Sequence, residues 1–257
     1  MRPSSLCLFL AVAALAQTPA PPAFDVASVK INQQFRPEDR ATWLIDVKHN
    51  PGSLTLRNVN MTMLVAWAFG VHRPQVFGPD AMNSHRYDIF AKTGRPMDSD
   101  DMWPLLQPLL MERFKLEMHR ESRKMEVLAL ILPKSGHKMT PSKIGGPTQN
   151  RQDPERGQVV EGAALQALAD DLSRETELPI VDMTGLKGRF DFTFNVRKYV
   201  AALRARLAAD PHPISDSEAR LMIMQEAIEG ELGLRLEKRQ AAIDVVVVDR
   251  FETLIEN

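Results

Sequence analysis

The side chains able to do chemistry are few and scattered. Six histidines occur, His49, His72, His85, His119, His137 and His212. No two lie within four positions, so neither HExxH nor any other zinc spacing is present. His119-Arg120-Glu121 sets an imidazole beside a carboxylate, the pairing used in general acid–base catalysis. Moving forward by 118 positions, Glu237-Lys238-Arg239 fills the same context without a histidine, and a solvated, charged hairpin turn accounts for both. Asp182-Met183-Thr184-Gly185 resembles the Asp-Thr-Gly loop of aspartic proteases, with one residue inserted between acid and threonine; a tight turn accounts for it equally. Asp170 and Asp171, adjacent on a helix, do not converge on one point. There is no G-x-S-x-G elbow, Gly-rich phosphate loop or Walker lysine. No residue receives a catalytic, cofactor-binding or metal-binding role, and no cofactor is implied.

The elements that carry these residues are organised by a self-match. Arg113–Pro133 (RFKLEMHRESRKMEVLALILP) lies on Glu231–Phe251 (ELGLRLEKRQAAIDVVVVDRF) at an offset of 118, and a fixed offset of this kind is the mark of repeat architecture. Each copy reads as a helix end, a short alternating strand, a charged turn and an apolar strand, giving hairpins over Lys115–Leu132 and over Leu234–Val248. The strand Arg189–Val196 likewise matches Arg86–Ala91 at an offset of 103. The difference between the offsets is an insertion near 198–212, helix-like and basic (Arg204, Arg206), then broken by Pro211 and Pro213.

Around these, Phe24–Ile31 and Ser53–Val59 alternate as strands, Pro51-Gly52 marks a turn, and Asn32–His49 is polar and unassigned. Asn60 is placed to cap a helix whose face is Leu64, Trp67, Ala68 and Val71. Leu105, Leu106, Leu109, Leu110 and Phe114 form a second buried face, where Pro104 and Pro108 predict a late start or a kink. In the second half Leu165, Leu168, Ala169 and Leu172 share one helical face. Ser215-x-x-Glu218 is a capping box ahead of Leu221, Met224, Ile228 and Leu232. The stretch 133–158 is rich in Pro, Gly and polar residues and reads as a linker. The expected fold is α+β, an internal duplication of a two-layer unit (strand-helix-strand-strand-helix-strand-strand), with two lobes joined by that linker. Its expected parts are a signal peptide at 1–16, a spacer and strand at 17–52, a first lobe at 53–132, and a second lobe at 159–257.

Met1-Arg2, the apolar run Leu6–Leu15 and Ala14-Leu15-Ala16 follow the three-part plan of a secretory signal peptide. The single cysteine, Cys7, falls inside it, leaving no thiol in the processed chain. The net charge of −1, or −2 once Arg2 is lost, lacks the basic footprint of a nucleic-acid binder. No later apolar run reaches the ~20 residues of a membrane span. The expected location is therefore exported, periplasmic or extracellular.

Several blocks resemble a family of exported proteins described as soil-associated and without assigned activity. They are FDVASVK at 24–30, LTLRNVNMTMLVAWAFGV with FGPD through Asp80, RYDI at 86–89, and LLMERFKLEMHRESRKMEVLAL. The second half adds PIVDMTGLKGRFDFTF and ELGLRLEKR with VVVVDRFE. Each half also resembles the short N-terminal domain of secretins and TonB-dependent receptors, which implies binding to other envelope proteins. The resulting expectation is a non-catalytic double module that binds an envelope protein or polymer, with a strand edge in each lobe open to a partner strand. The alternatives are an envelope hydrolase using His119, Glu121 or Asp182 between the lobes, and a small-ligand sensor. The partner and the oligomeric state are not set by these features.

Overall fold

Among the described residues, three four-stranded sheets carry the chain, two outer ones and a third that contains strands from both halves. The structure is a computed structural model that describes residues 22–36, 38–174, 176, 178–209 and 214–254; the expected signal peptide, Pro211 and Pro213 lie outside these. In the first half β1 (Val26–Ile31), β2 (Asp46–Asn50), β3 (Ser53–Val59) and β5 (Tyr87–Lys92) form an antiparallel sheet in the order β1-β5-β3-β2. In the second, β7 (Thr140–Pro141), β8 (Gln149–Asp153), β9 (Gly157–Ala163) and β11 (Phe190–Phe194) take the corresponding order β7-β11-β9-β8. The fold is α+β.

The helices follow from their apolar spacing and their ends. In α1 (Met61–Phe69) Asn60 accepts the Met63 amide at 3.0 Å, and Gly70 closes the helix in the left-handed region at φ 64°. The prolines act at the entry to the next helix: α2 (Ser99–Met102) gives way to a 3-10 turn at Trp103–Leu105, and α3 runs Leu106–Phe114. Pro108 is then the third helical residue, where a missing N–H costs nothing because that donor has no intrahelical partner. In the second half α4 (Leu165–Ser173) buries Leu165, Leu168, Ala169 and Leu172. The inserted helix α5 (Arg197–Ala209) leans on α6 (Asp216–Ala227), which opens with the Ser215–Glu218 capping box. A π-helical turn, Ile228–Leu232, extends α6 to Gly233.

The two expected hairpins do not form. Glu117–Ile131 is one continuous strand, β6, and Arg235–Arg250 is another, β12; the two pair antiparallel with each other over nearly their whole lengths. The offset of 118 maps Lys124 onto Ala242, and these two residues face each other across the ribbon. The short strand β4 (Val76–Phe77), from the first half, adds parallel to β12, and β10 (Ile180–Asp182), from the second, adds parallel to β6, giving the order β10-β6-β12-β4.

The ribbon exchanges core residues between the halves. The first core contains Leu54, Leu56, Leu64, Ile89 and Phe114, together with Val246 and Val248 from the end of β12. The second contains Leu168, Phe190, Ile228 and Leu234, together with Leu128 and Leu130 from the end of β6. Residues 133–158, expected as a linker, instead supply β7 and β8 to the second sheet.

Candidate functional site

The residues singled out for chemistry do not assemble into one site. His119 and Glu121 lie on β6 in the exposed part of the ribbon. His119 Nδ1 is 3.0 Å from Asp249 on β12, and Nε2 is 3.8 Å from Glu121. The bond to Asp249 is the main cause that raises the His119 pKa, although partial desolvation opposes it. Glu121 is also held by Arg123, whose guanidinium stacks 4.1 Å from the centre of the Phe77 ring. Both ring nitrogens thus face acids that stabilise imidazolium, a poor general base. Asp182 sits opposite Leu130 at the other end of β6, roughly 35 Å along the strand from His119 at ~3.3 Å per residue. Its Oδ1 accepts the Thr184 amide at 2.9 Å and the Thr184 hydroxyl at 2.7 Å, a turn that fully accounts for the Asp-Met-Thr-Gly stretch.

Asp170 does have a partner. His72 Nε2 lies 3.6 Å from its Oδ1, and Gln166 Nε2 donates to it at 2.9 Å; His72 is the first cause holding this carboxyl below the usual range. This contact ties the segment after α1 to α4. Among the described residues, no group of three or more His, Cys, Asp or Glu side chains is arranged to hold a metal ion.

Three of the buried polar atoms without a partner, Asn58 Oδ1, Arg86 Nε and Arg189 Nε, lie elsewhere, at a β-bulge that occurs in both outer sheets. In β3 the ladder to β5 shifts register between Leu56 and Val59, and Asn58 sits in the left-handed region at φ 60°. Its amide donates to Asp88 Oδ1 at 2.9 Å. In β9 the shift recurs, Gly162 has φ 69°, and its amide donates to Asp191 Oδ1 at 2.7 Å. Arg86 and Arg189, each two residues before that aspartate, cover the bulges, and the Nε of each is buried without a partner. The RYD and RFD stretches are therefore bulge clamps: an arginine over the bulge, a buried aromatic, and an acid on the bulge amide.

Only the first half adds a side chain at the bulge. Asn58 is 5% exposed, and its Nδ2 donates to Thr42 O at 2.6 Å and Leu44 O at 2.8 Å. That anchors the 32–45 segment over one end of the sheet. The segment is further ordered by Asn32, whose Oδ1 accepts the Gln34 and Phe35 amides and whose Nδ2 reaches Asp88 Oδ1 at 2.9 Å. Phe35 stacks on Arg86 with 4.8 Å between the guanidinium carbon and the ring centre.

Between this segment and the sheet lies an open groove of about 1020 Å³, lined by Lys30, Asn32, Gln33, Gln34, Thr42, Leu44, Asp46, Arg57, Asn58 and Asp88 among others. Two bases oppose two acids, so no single sign of charge dominates. Asn58 Oδ1 is buried beneath the groove without a partner. The Asp88 carboxylate is half-buried, and its Oδ1 accepts from Asn32 and from the Asn58 amide. Amide and charged neighbours make a surface that offers both donors and acceptors. Asn58 and Asp88 are not legible from periodicity because a bulge breaks period two. The Asn that follows Leu54 and Leu56 at the next alternate position, where the pattern calls for an apolar residue, nonetheless signals left-handed backbone.

No described helix is long and apolar enough to cross a membrane. A family described as "Protein of unknown function (DUF3738)" matches residues 33–251, and the chain belongs to that family. No curated protein and no solved structure matches it.

Proposed function

We propose that this member of the DUF3738 family is an exported, non-catalytic module, made of two copies of one strand–helix–strand plan, that holds an extended segment of an envelope protein in the groove of its first half. The observation that carries the reading is an open groove of about 1020 Å³ whose walls bring together the side chains of Asn32, Gln33 and Gln34 with two bases and two acids, Lys30, Arg57, Asp46 and Asp88. Amide and mixed-charge walls of this kind offer both donors and acceptors to the backbone of an extended segment. Export is supported by the composition of Met1–Ala16. A non-catalytic role is supported by the separation of His119 from Asp182 and by the acids that flank His119. The likeness to envelope-binding short domains points the same way, at the level of fold plan alone.

The test is capture of envelope proteins by the full processed chain, compared across three variants. Arg57→Glu reverses a charge on the groove wall. Asn58→Gly keeps the left-handed backbone and removes the amide that anchors 42–44. Arg204→Glu alters an exposed residue on α5, away from the groove. A protein retained by wild type and by Arg204→Glu, but lost with the other two, is the expected result. Retention that ignores both groove variants, or no retained protein at all, overturns the reading.

A further inference from the structure

We propose that two copies of this chain associate through the free edge of β2, Val47 against Val47 of the second copy, making one continuous antiparallel sheet. The proposal goes beyond the groove and does not depend on it.

Among the described residues, β2 has a strand neighbour only on its β3 side. Asn50 and Ser53 face each other across the two-residue Pro51-Gly52 turn, so they form a hydrogen-bonded pair and the ladder alternates from there. Asn50, Lys48 and Asp46 direct their backbone groups to β3, while His49, Val47 and Ile45 direct theirs outward. Leu44 keeps step, its carbonyl turned inward to Asn58 Nδ2 at 2.8 Å. An outward row of unpaired N–H and C=O groups is a template for another strand unless it is blunted by proline, a bulge or charge. The corresponding edge in the second half, β8, is polar throughout (QNRQD) and exposed along most of its length. At β2 the outward positions are Val47, 37% exposed, and His49, with Ile45 at 40% and Leu44 at 82% just ahead of the strand.

Charge selects both the occupant and the register. Pairing of two β2 edges about Lys48 sets Lys48 opposite Lys48, and pairing about Asp46 sets Asp46 opposite Asp46; like charges directly opposite are unfavourable. Pairing about Val47 sets Asp46 opposite Lys48 of the second copy and Lys48 opposite its Asp46. It also places Val47 and its mate in a hydrogen-bonded pair, as their outward groups require. The charged pairs then fall at non-hydrogen-bonded sites, where side chains approach most closely. Within one chain Lys48 Nζ already lies 2.9 Å from Asp46 Oδ2, so the joined edges carry four alternating charges on one face. The short edge buries less than the ~1,600 Å² of a standard interface, so association is reversible and concentration-dependent.

Sedimentation velocity of the full processed chain over a concentration series tests this. Wild type is expected to pass from monomer to dimer as concentration rises. Asp46→Lys alone and Lys48→Asp alone stay monomeric where wild type is dimeric. Mixed one to one, those two variants recover the dimer, because a strand with two positive charges then faces one with two negative charges. Recovery on mixing also shows that each variant is folded. A wild type that stays monomeric overturns the proposal, including one whose edge takes only a foreign extended peptide. So does a dimer indifferent to both substitutions, or a mixture that remains monomeric.

Discussion

At Asn58 the backbone sits at φ 60° while the side chain ties down Thr42 and Leu44, so conformation and anchoring are separable by substitution. Alanine loses the anchor and also strains the left-handed backbone by ~1–2 kcal/mol. Glycine loses the anchor without the strain. Asn58→Ala is therefore expected to unfold at lower urea than Asn58→Gly, by about 1 kcal/mol, with both below wild type. Equal midpoints would show that the bulge relaxes on substitution. A second residue-scale expectation concerns His119. Its folded pKa is raised by Asp249, so the stabilisation from charging it is complete below its unfolded value of ~6.5 and fades as pH rises through the folded value. Proton NMR titration of the ring should give a midpoint above that of a free histidine, and Asp249→Asn should bring it down. A midpoint unchanged by Asp249→Asn would mean the pair is not formed in solution. The His119 side chain is 49% exposed, so the contribution to stability is small.

At the scale of elements, the π-helical turn places Gly230 against the inserted helix. A Cβ there would meet Tyr199 Oη at 1.8 Å, and Tyr199 donates to Glu231 at 2.9 Å. Gly230→Ala is expected to cost ~1–3 kcal/mol as overpacking. Restoration of stability by the added change Tyr199→Leu, which removes both the hydroxyl and the ring atoms that the Cβ would meet, would identify the contact as the cause. Apolar spacing reads α4 fully, since Leu165, Leu168, Ala169 and Leu172 are all buried. But α1 is buried nearly all round with Trp67 only half-buried, and of the face read for α6 Leu221 is half-buried while Ile228 and Leu232 fall in the π-helical turn. The ribbon was not legible in this way. The charged stretches His119–Lys124 and Glu237–Ala242 lie towards opposite ends of the ribbon, each paired with the apolar run of the other strand, and Lys238 reaches Glu126 at 3.4 Å. Charge between two alternating runs looks like a turn. Neither stretch contains a Gly, Pro, Asn or Asp, which a tight hairpin turn demands, and that absence was the available signal. β8 and β9 were lost for the converse reason. Their polar edge and flanking prolines resemble a linker, and only the pairing of β9 with β11 and of β8 with β9 makes them strands.

For the whole molecule, the exchange of strand ends sets what can fold. The first core is closed by Val246 and Val248, each at most 2% exposed, and the second by Leu128 and Leu130, each at most 1% exposed. A core defect made in one half of the chain should thus be felt in the other. Leu130→Ala, in the first half, is expected to cost ~2–5 kcal/mol and to loosen amides around Phe190 and Ile228 before those around Ile89. Hydrogen exchange resolved by residue reads that order directly. By the same logic a fragment ending at Leu132 lacks β12 and leaves the whole pairing face of β6 open. It should be unfolded or aggregated alone, and so should the fragment from Pro133 onward. Mixed in equal amounts, the two should refold into one particle with the circular dichroism of the intact chain, because every exchanged contact is then available between them. A first fragment that folds by itself as a monomer would show that β6 closes its core without β12. The ribbon would then be a tether between independent lobes, and the coupling expected for Leu130→Ala should vanish with it.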